Sequence, residues 1–148
     1  MWPIEKIEWR IQDDHFKPQG LWVSDEDDYG WKQWCINEHF RYPDGFQYAY
    51  EIHLAENHNV LILKTKQDVL DFSRAHYSPE LHKFGLEWAM VRRWWDGVIV
   101  TPYQSELRWN LVYETDHSTL WYTIWDCAGG CIWNPEAIRS FDTCQMSS

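Results

Sequence analysis

Lys17-Pro18-Gln19-Gly20-Leu21-Trp22-Val23-Ser24 is the stretch that most constrains how this chain folds. Pro18 and Gly20 suit a tight turn, and that turn delivers a short apolar strand, Leu21 to Ser24. Ser24 is followed by Asp25, Glu26 and Asp27, and a serine before carboxylates reads as a helix cap, with Asp27 approximating the acid of a capping box. The helix expected there carries Trp31, Trp34, Cys35 and Glu38 at helical spacing. A junction of turn, strand and helix start gathers backbone N–H groups and side chains at one place, which is how ligand sites are commonly built.

Other segments are legible from periodicity. Ile4 to Ile11 alternates, with Ile7, Trp9 and Ile11 on one face and Glu8 and Arg10 on the other, and predicts a first strand. Pro43-Asp44-Gly45 is a turn before the clearest strand, Gln47 to Leu54, in which Tyr48, Tyr50, Ile52 and Leu54 share a face. Val60 to Leu63 is a continuous apolar run suited to a buried strand, and the two predict a hairpin. Thr65 and Asp68 open a helix to about Tyr77. Ser78-Pro79-Glu80 begins another, and Gly85 breaks it before a helix over Leu86 to Trp95. Val98 to Val100, Leu107 to Tyr113 and Leu120 to Trp125 read as short strands, and an Asp126 to Gly130 turn leads into Cys131-Ile132-Trp133. The chain becomes polar after Asp142, which predicts a loose tail from about residue 143. At 148 residues this is an α+β chain of one domain, with mixed and antiparallel sheets and two to four helices.

Twelve Trp, eight Tyr and six Phe mean that rings must supply much of the core, and their N–H and O–H groups need partners there. Rings in excess of a core suit a planar ligand or a partner protein. The net charge of −10 opposes nonspecific binding to nucleic acid, whose phosphates attract Lys and Arg. Lys64, Lys66, Arg74, His76, Lys83, Arg92 and Arg93 concentrate what positive charge there is, and the acidic remainder suits a basic partner. Neither a signal peptide nor a membrane span is legible, which places the chain in the cytoplasm with Cys35, Cys127, Cys131 and Cys144 as reduced thiols.

The sequence contains no phosphate-binding glycine loop, nucleophile elbow, His-Glu-x-x-His helix or calcium loop. A zinc site drawn from His117, Cys127, Cys131 and Cys144 lacks the usual paired spacing, and Cys127 and Cys131 read better as small apolar residues flanking the Gly-Gly turn. Asp126 is the best single candidate for chemistry: it ends the aromatic run Trp121 to Trp125 beside glycines that permit close approach, though it also suits its own turn as a hydrogen-bond acceptor. Glu114 and Asp116 form a competing acidic pair. His15 and Arg10 stand near the opening junction and are candidate ligand contacts.

A first strand carrying Arg10, then Gly-Leu-Trp-Val-Ser, a helix, the Tyr48 to Leu54 strand and a late acid resemble, in that order, the small ADP-ribosyltransferase fold. Lys-Pro-x-Gly-Leu-Trp and Gly-Cys-Ile-Trp are similar to pieces of small bacteriophage and bacterial proteins. The resemblance implies NAD as substrate and an ADP-ribosyl transfer, of phage or toxin type, to a protein or nucleic-acid acceptor. It implies that Arg10 or His15 holds the ribose or diphosphate, with Lys17 and Gly20 in the adjoining turn. Trp22 and Tyr50 would flank the nicotinamide, Ser24 would be a polar contact, and Asp126 would stabilise the ribosyl cation. The chain departs from that pattern in having no Glu-x-Glu pair and no His-Gly pair on the first strand. The competing expectation is a non-enzymatic, acidic, Trp-rich binding protein, such as a phage inhibitor of a host factor.

Overall fold

The computed structural model describes residues 17–38, 48–80, 85–110 and 117–145. The strand expected over Ile4 to Ile11, with Arg10, His15 and the Pro43 turn, lies outside them, as do Lys83, Glu114 and Asp116. Within them the chain is a mixed α+β structure. Four short strands form one sheet: β1 (Leu21–Ser24), β3 (Val60–Leu63), β4 (Gly97–Val100) and β5 (Gly129–Ile132), in the order β1-β5-β4-β3. Only β3 and β4 are parallel. A second, two-stranded ribbon pairs β2 (Tyr48–Leu54) antiparallel with β6 (Ile138–Gln145). The hairpin expected between β2 and β3 therefore does not form. Each strand takes a distant partner, and β6 carries residues 143–145 in regular pairing where a loose tail was expected to begin.

β5 is central because it is narrow. Val100 pairs with Gly129 and Ile99 with Gly130 on one side, while Ser24 pairs with Gly129 and Val23 with Gly130 on the other. A Cβ on Gly130 would collide with Val98 O, and one on Gly129, whose φ is +154°, with Val23 O. The Gly-Gly pair is thus strand rather than turn, and it is β4 and β1 that it lets approach closely.

The alternation of side chains across the sheet divides the core in two. On one face Leu63, Val98, Val100 and Cys131 pack with Val69 and Phe72 of α2 (Lys66–His76), Trp88 and Val91 of α3 (Trp88–Trp94), and Trp121, Tyr122, Trp125 and Trp133. On the other face Val60, Ile132 and Ala137 meet Leu54 and Ile138 of the ribbon. α2 begins where Thr65 and Asp68 were expected to open a helix, and the two form a capping box: Thr65 Oγ1 accepts from the Asp68 N–H at 3.0 Å, and Asp68 Oδ2 accepts from the Thr65 N–H at 3.2 Å. The hydrogen bond from the Lys64 N–H to the Asp68 carboxylate, and then those from Thr65, hold that carboxyl below its usual pKa.

Three segments differ from their sequence reading. Leu120 to Trp125, expected as a strand, lies in a 3-10 helix, His117–Ile124. Ser118, Trp121, Tyr122 and Trp125 are all buried, a spacing of three and four that a two-residue alternation cannot bring to one face. Leu107 to Tyr113, also expected as a strand, starts inside α4 (Ser105–Asn110). The helix expected from Ser78 is replaced, over its described part, by a turn that leads to an antiparallel bridge between Tyr77 and Leu86, with Ser78 N–H donating to Gly85 O.

Candidate functional site at the β1 edge

The opening junction does gather side chains, but by a different construction from the one its sequence suggests. Ser24 remains in β1 and caps no helix; its hydroxyl donates to Glu26 Oε1 at 2.8 Å. α1 (Trp31–Asn37) begins later, after Gly30, without a side-chain cap. Between them the acidic residues form a turn clamped to the segment after Trp125. The Asp25 N–H donates to Ala128 O at 2.9 Å, and the Ala128 N–H donates to Tyr29 O at 2.6 Å.

The carboxylates of this turn have structural duties. Asp25 Oδ2 accepts from the Thr101 hydroxyl at 2.6 Å and its Oδ1 from the Asp27 N–H at 3.0 Å. Asp28 Oδ2 accepts from the Tyr103 N–H at 2.7 Å. Such charge-assisted bonds are stronger than neutral ones, and here they lash the end of β1 to the segment leaving β4. Their charge remains, so the edge is strongly anionic.

Beside the turn is an aromatic ledge. Trp22 is 37% exposed. Its ring meets Trp125 edge to face, centroids 4.7 Å apart at 62°, and carries Lys17 Nζ 4.5 Å from its centroid. Trp125 is held from below, donating its indole N–H to Gly129 O at 2.7 Å. Asp126, the next residue, is half-buried. Cys127 follows, and burial, then the charges of Asp126, Glu26 and Cys35, push its thiol up to about 12. Burial, then Glu26, also raises the Cys35 thiol. Both thiols are therefore protonated and poor nucleophiles at neutral pH.

Of the residues expected to hold NAD, Lys17 and Trp22 touch and Ser24 lies two residues further along β1, while Asp126, the acid expected to act on it, directly follows the Trp125 against which Trp22 packs. Gly20, at φ +157°, is packed under the Ile132 carbonyl, where a Cβ would clash. Tyr50 lies elsewhere: it belongs to the ribbon, where its ring meets Phe141 at 5.6 Å and 75°. Arg92, not singled out as a site residue by its sequence setting, braces the junction, donating from Nη2 to Gln19 O at 2.9 Å with its guanidinium 5.2 Å from the Trp133 ring centroid. Sequence carries no signal for the Thr101 and Tyr103 contacts, which join positions 76 and 75 residues apart.

Among the described residues no group of three or more His, Cys, Asp or Glu side chains is arranged to hold a metal ion. Of the drawn zinc set, Cys131 donates its Sγ–H to Pro18 O at 3.8 Å in the four-stranded sheet, and the Cys144 backbone pairs with Ala49 in the ribbon. No described helix is long and apolar enough to cross a membrane. Comparison of the chain with protein-family models, with curated proteins and with solved structures returns no match.

Proposed function

We propose that the protein is a non-enzymatic binding module that presents the anionic β1 edge and its tryptophan ledge to a basic macromolecular partner. The observation that carries this reading is the composition of that edge: a partly exposed Trp22, with Lys17 over its ring, on the strand that runs into Asp25, Glu26, Asp27 and Asp28, and packed on the Trp125 that Asp126 follows. A dinucleotide brings a diphosphate, which that field repels, whereas a Lys- or Arg-rich surface is attracted and steered. Aromatic anchors ringed by charge are a common source of interface affinity. The separation of Tyr50 from Trp22 into different sheets weighs on the same side.

The test is capture of a dominant partner from a bacterial lysate by the wild-type protein and by Trp22→Ala. The reading requires that capture fall with Trp22→Ala and with rising salt, since exposed charge pairs are screened beyond about 10 Å at 0.1 M ionic strength. Capture insensitive to both sinks it.

ADP-ribosyl transfer is the second reading, favoured by one feature: Asp126 directly follows the tryptophan on which Trp22 rests, so an acid stands beside an aromatic ledge. It predicts release of nicotinamide from NAD, loss of that release in a folded Asp126→Asn variant, and a rise in melting temperature with NAD. Absence of all three, with or without lysate, removes it.

A further inference from the structure

The opposite edge of the sheet holds a second surface, independent of the reading above. The Thr101 N–H donates to Leu63 O at 3.1 Å. Leu63, and by the two-residue period Leu61, therefore aim their backbone groups at β4, while Val60 and Ile62 aim theirs outward. Both ends of that outer edge are closed by side chains. The Val60 N–H donates to His58 Nδ1 at 3.0 Å, and the Lys64 N–H donates to Asp68 Oδ2 at 3.0 Å. Between them the Ile62 N–H and C=O face out, and among the described residues no strand pairs with β3 on that side.

Alongside this edge runs a groove of about 340 Å³ lined by Leu61, Ile62 and Leu63 of β3, by Asp68, Asp71, Phe72 and His76 of α2, and by Trp95. Its two ends differ chemically. Asp68 marks the end where β3 finishes, through its bond to Lys64. Trp95 marks the end where β3 begins, because the next residue, Asp96, is hydrogen-bonded to Asn59 through both backbone and side chain. On that acidic side Lys66 is already paired with Glu106 at 3.5 Å, the Lys64 charge lies near Asp68, and Asp71 Oδ1 accepts from Gln67 Nε2 at 2.8 Å.

We propose that β3 and this groove form a docking site for an extended peptide segment of a partner protein, added antiparallel to β3 through a single residue opposite Ile62. In such a pair one peptide residue exchanges both backbone hydrogen bonds with Ile62. Its two neighbours point to the sheet face that bears Leu61 and Leu63, and so into the groove. Antiparallel addition places the peptide's earlier residue by Asp68 and Asp71 and its later one by Phe72 and Trp95. The recognised pattern is therefore Lys or Arg, then any strand former, then a large apolar residue. The carboxylates select the base, the rings select the apolar side chain, and the two capped ends limit pairing to this one register.

The experiment is a titration of the labelled whole protein with acetyl-Ser-Lys-Val-Trp-Ser-amide, read by amide chemical shifts and by hydrogen exchange. Its expected result is shifts confined to Leu61 to Lys64, Phe72 and Trp95, with slower exchange at Ile62. Replacing the peptide Lys by Glu, or Asp71 by Lys in the protein, weakens binding by about tenfold or more. Ile62→Pro removes the outward N–H and leaves the backbone bonds to β4, though it also trims side-chain packing on Val60 and Ile132, so it abolishes binding with some fall in melting temperature; if that variant fails to fold, Asp71→Lys carries the test. Equal binding of the Lys and Glu peptides overturns the proposal, as does the absence of any shift. So does an Ile62 amide already protected without peptide, or one whose protection grows with protein concentration, which would assign the edge to a second copy of the chain.

Discussion

Trp121 and Trp22 both rest edge-on against Trp125, from opposite sides. Trp121 meets it at 5.0 Å and 85° from within the core, and Trp22 meets it at 4.7 Å and 62° from the surface. The inner ring is fully buried, and its N–H donates to Ser73 Oγ at 2.7 Å, whose hydroxyl in turn donates to Val69 O at 2.6 Å. The outer ring is partly exposed and carries a lysine instead. One residue type thus does two jobs across one shared neighbour. An abundance of tryptophan is not by itself a sign of function; what separates scaffold from surface is how completely the core encloses the ring. Of the buried tryptophans, Trp121, Trp125 and Trp133 also donate the indole N–H to an acceptor.

The sharpest way to break that comparison is to truncate each ring in turn. Trp121→Ala is expected to cost about 3–5 kcal/mol of unfolding free energy, because it opens a large cavity in a close-packed cluster. Trp22→Ala removes less buried surface and is expected to cost about 1–2 kcal/mol. Denaturant midpoints with unchanged slopes measure both. Equal losses would make the ledge an extension of the core and withdraw it as a docking surface.

A gentler pair of substitutions isolates the hydrogen bond. Trp88 is as buried as Trp121, yet its indole N–H has no hydrogen-bond acceptor among the described residues. Trp121→Phe strands one side of the Ser73 hydroxyl and is expected to cost about 1–2 kcal/mol more than Trp88→Phe. If the order reverses, packing volume rather than polar satisfaction ranks these rings.

The outer side of the comparison depends on the acidic turn. Thr101→Val deletes the hydroxyl that Asp25 accepts and is expected to destabilise by about 1 kcal/mol. The effect should be visible in amide exchange at Tyr103 and Ala128 before it appears in the global midpoint. Unchanged exchange at those two positions would mean that the turn is held without this bond.

How much of this was legible follows from the range of each interaction. The strands Leu21 to Ser24, Tyr48 to Leu54 and Val60 to Leu63 and the helix opened by Thr65 and Asp68 rest on neighbours in sequence, and all four form. What failed depended on partners far along the chain. The hairpin between β2 and β3 looked inevitable because the two runs are close together, but β6 takes β2 and β4 takes β3. Ser24 had every local mark of a helix cap, yet its pairing with Gly129 keeps it in strand. At the candidate site, Trp22 and Asp126 were legible as unusual residues in unusual settings. That Trp125 would join them, and that the acids would be committed to Thr101 and Tyr103, depends on contacts no local pattern encodes.

The smallest effect tests the core from its acid-sensitive rim. His76 packs its ring 5.0 Å from Phe72, which itself meets Trp121 at 5.6 Å. Burial lowers the His76 pKa from 6.5, and the nearby Glu87 opposes that shift. Below 6.5 the unfolded chain takes up the proton more readily than the folded one, so folding stability falls as pH drops from 6.5 through the lowered value, and is unaffected by this group above 6.5. His76→Leu should flatten that part of the stability profile. Glu87→Gln removes the charge that favours protonation, lowers the His76 pKa further and should steepen it. Urea midpoints between pH 5 and 7 separate the two variants, and parallel profiles for both would show that the aromatic core is insensitive to the protonation of its neighbour.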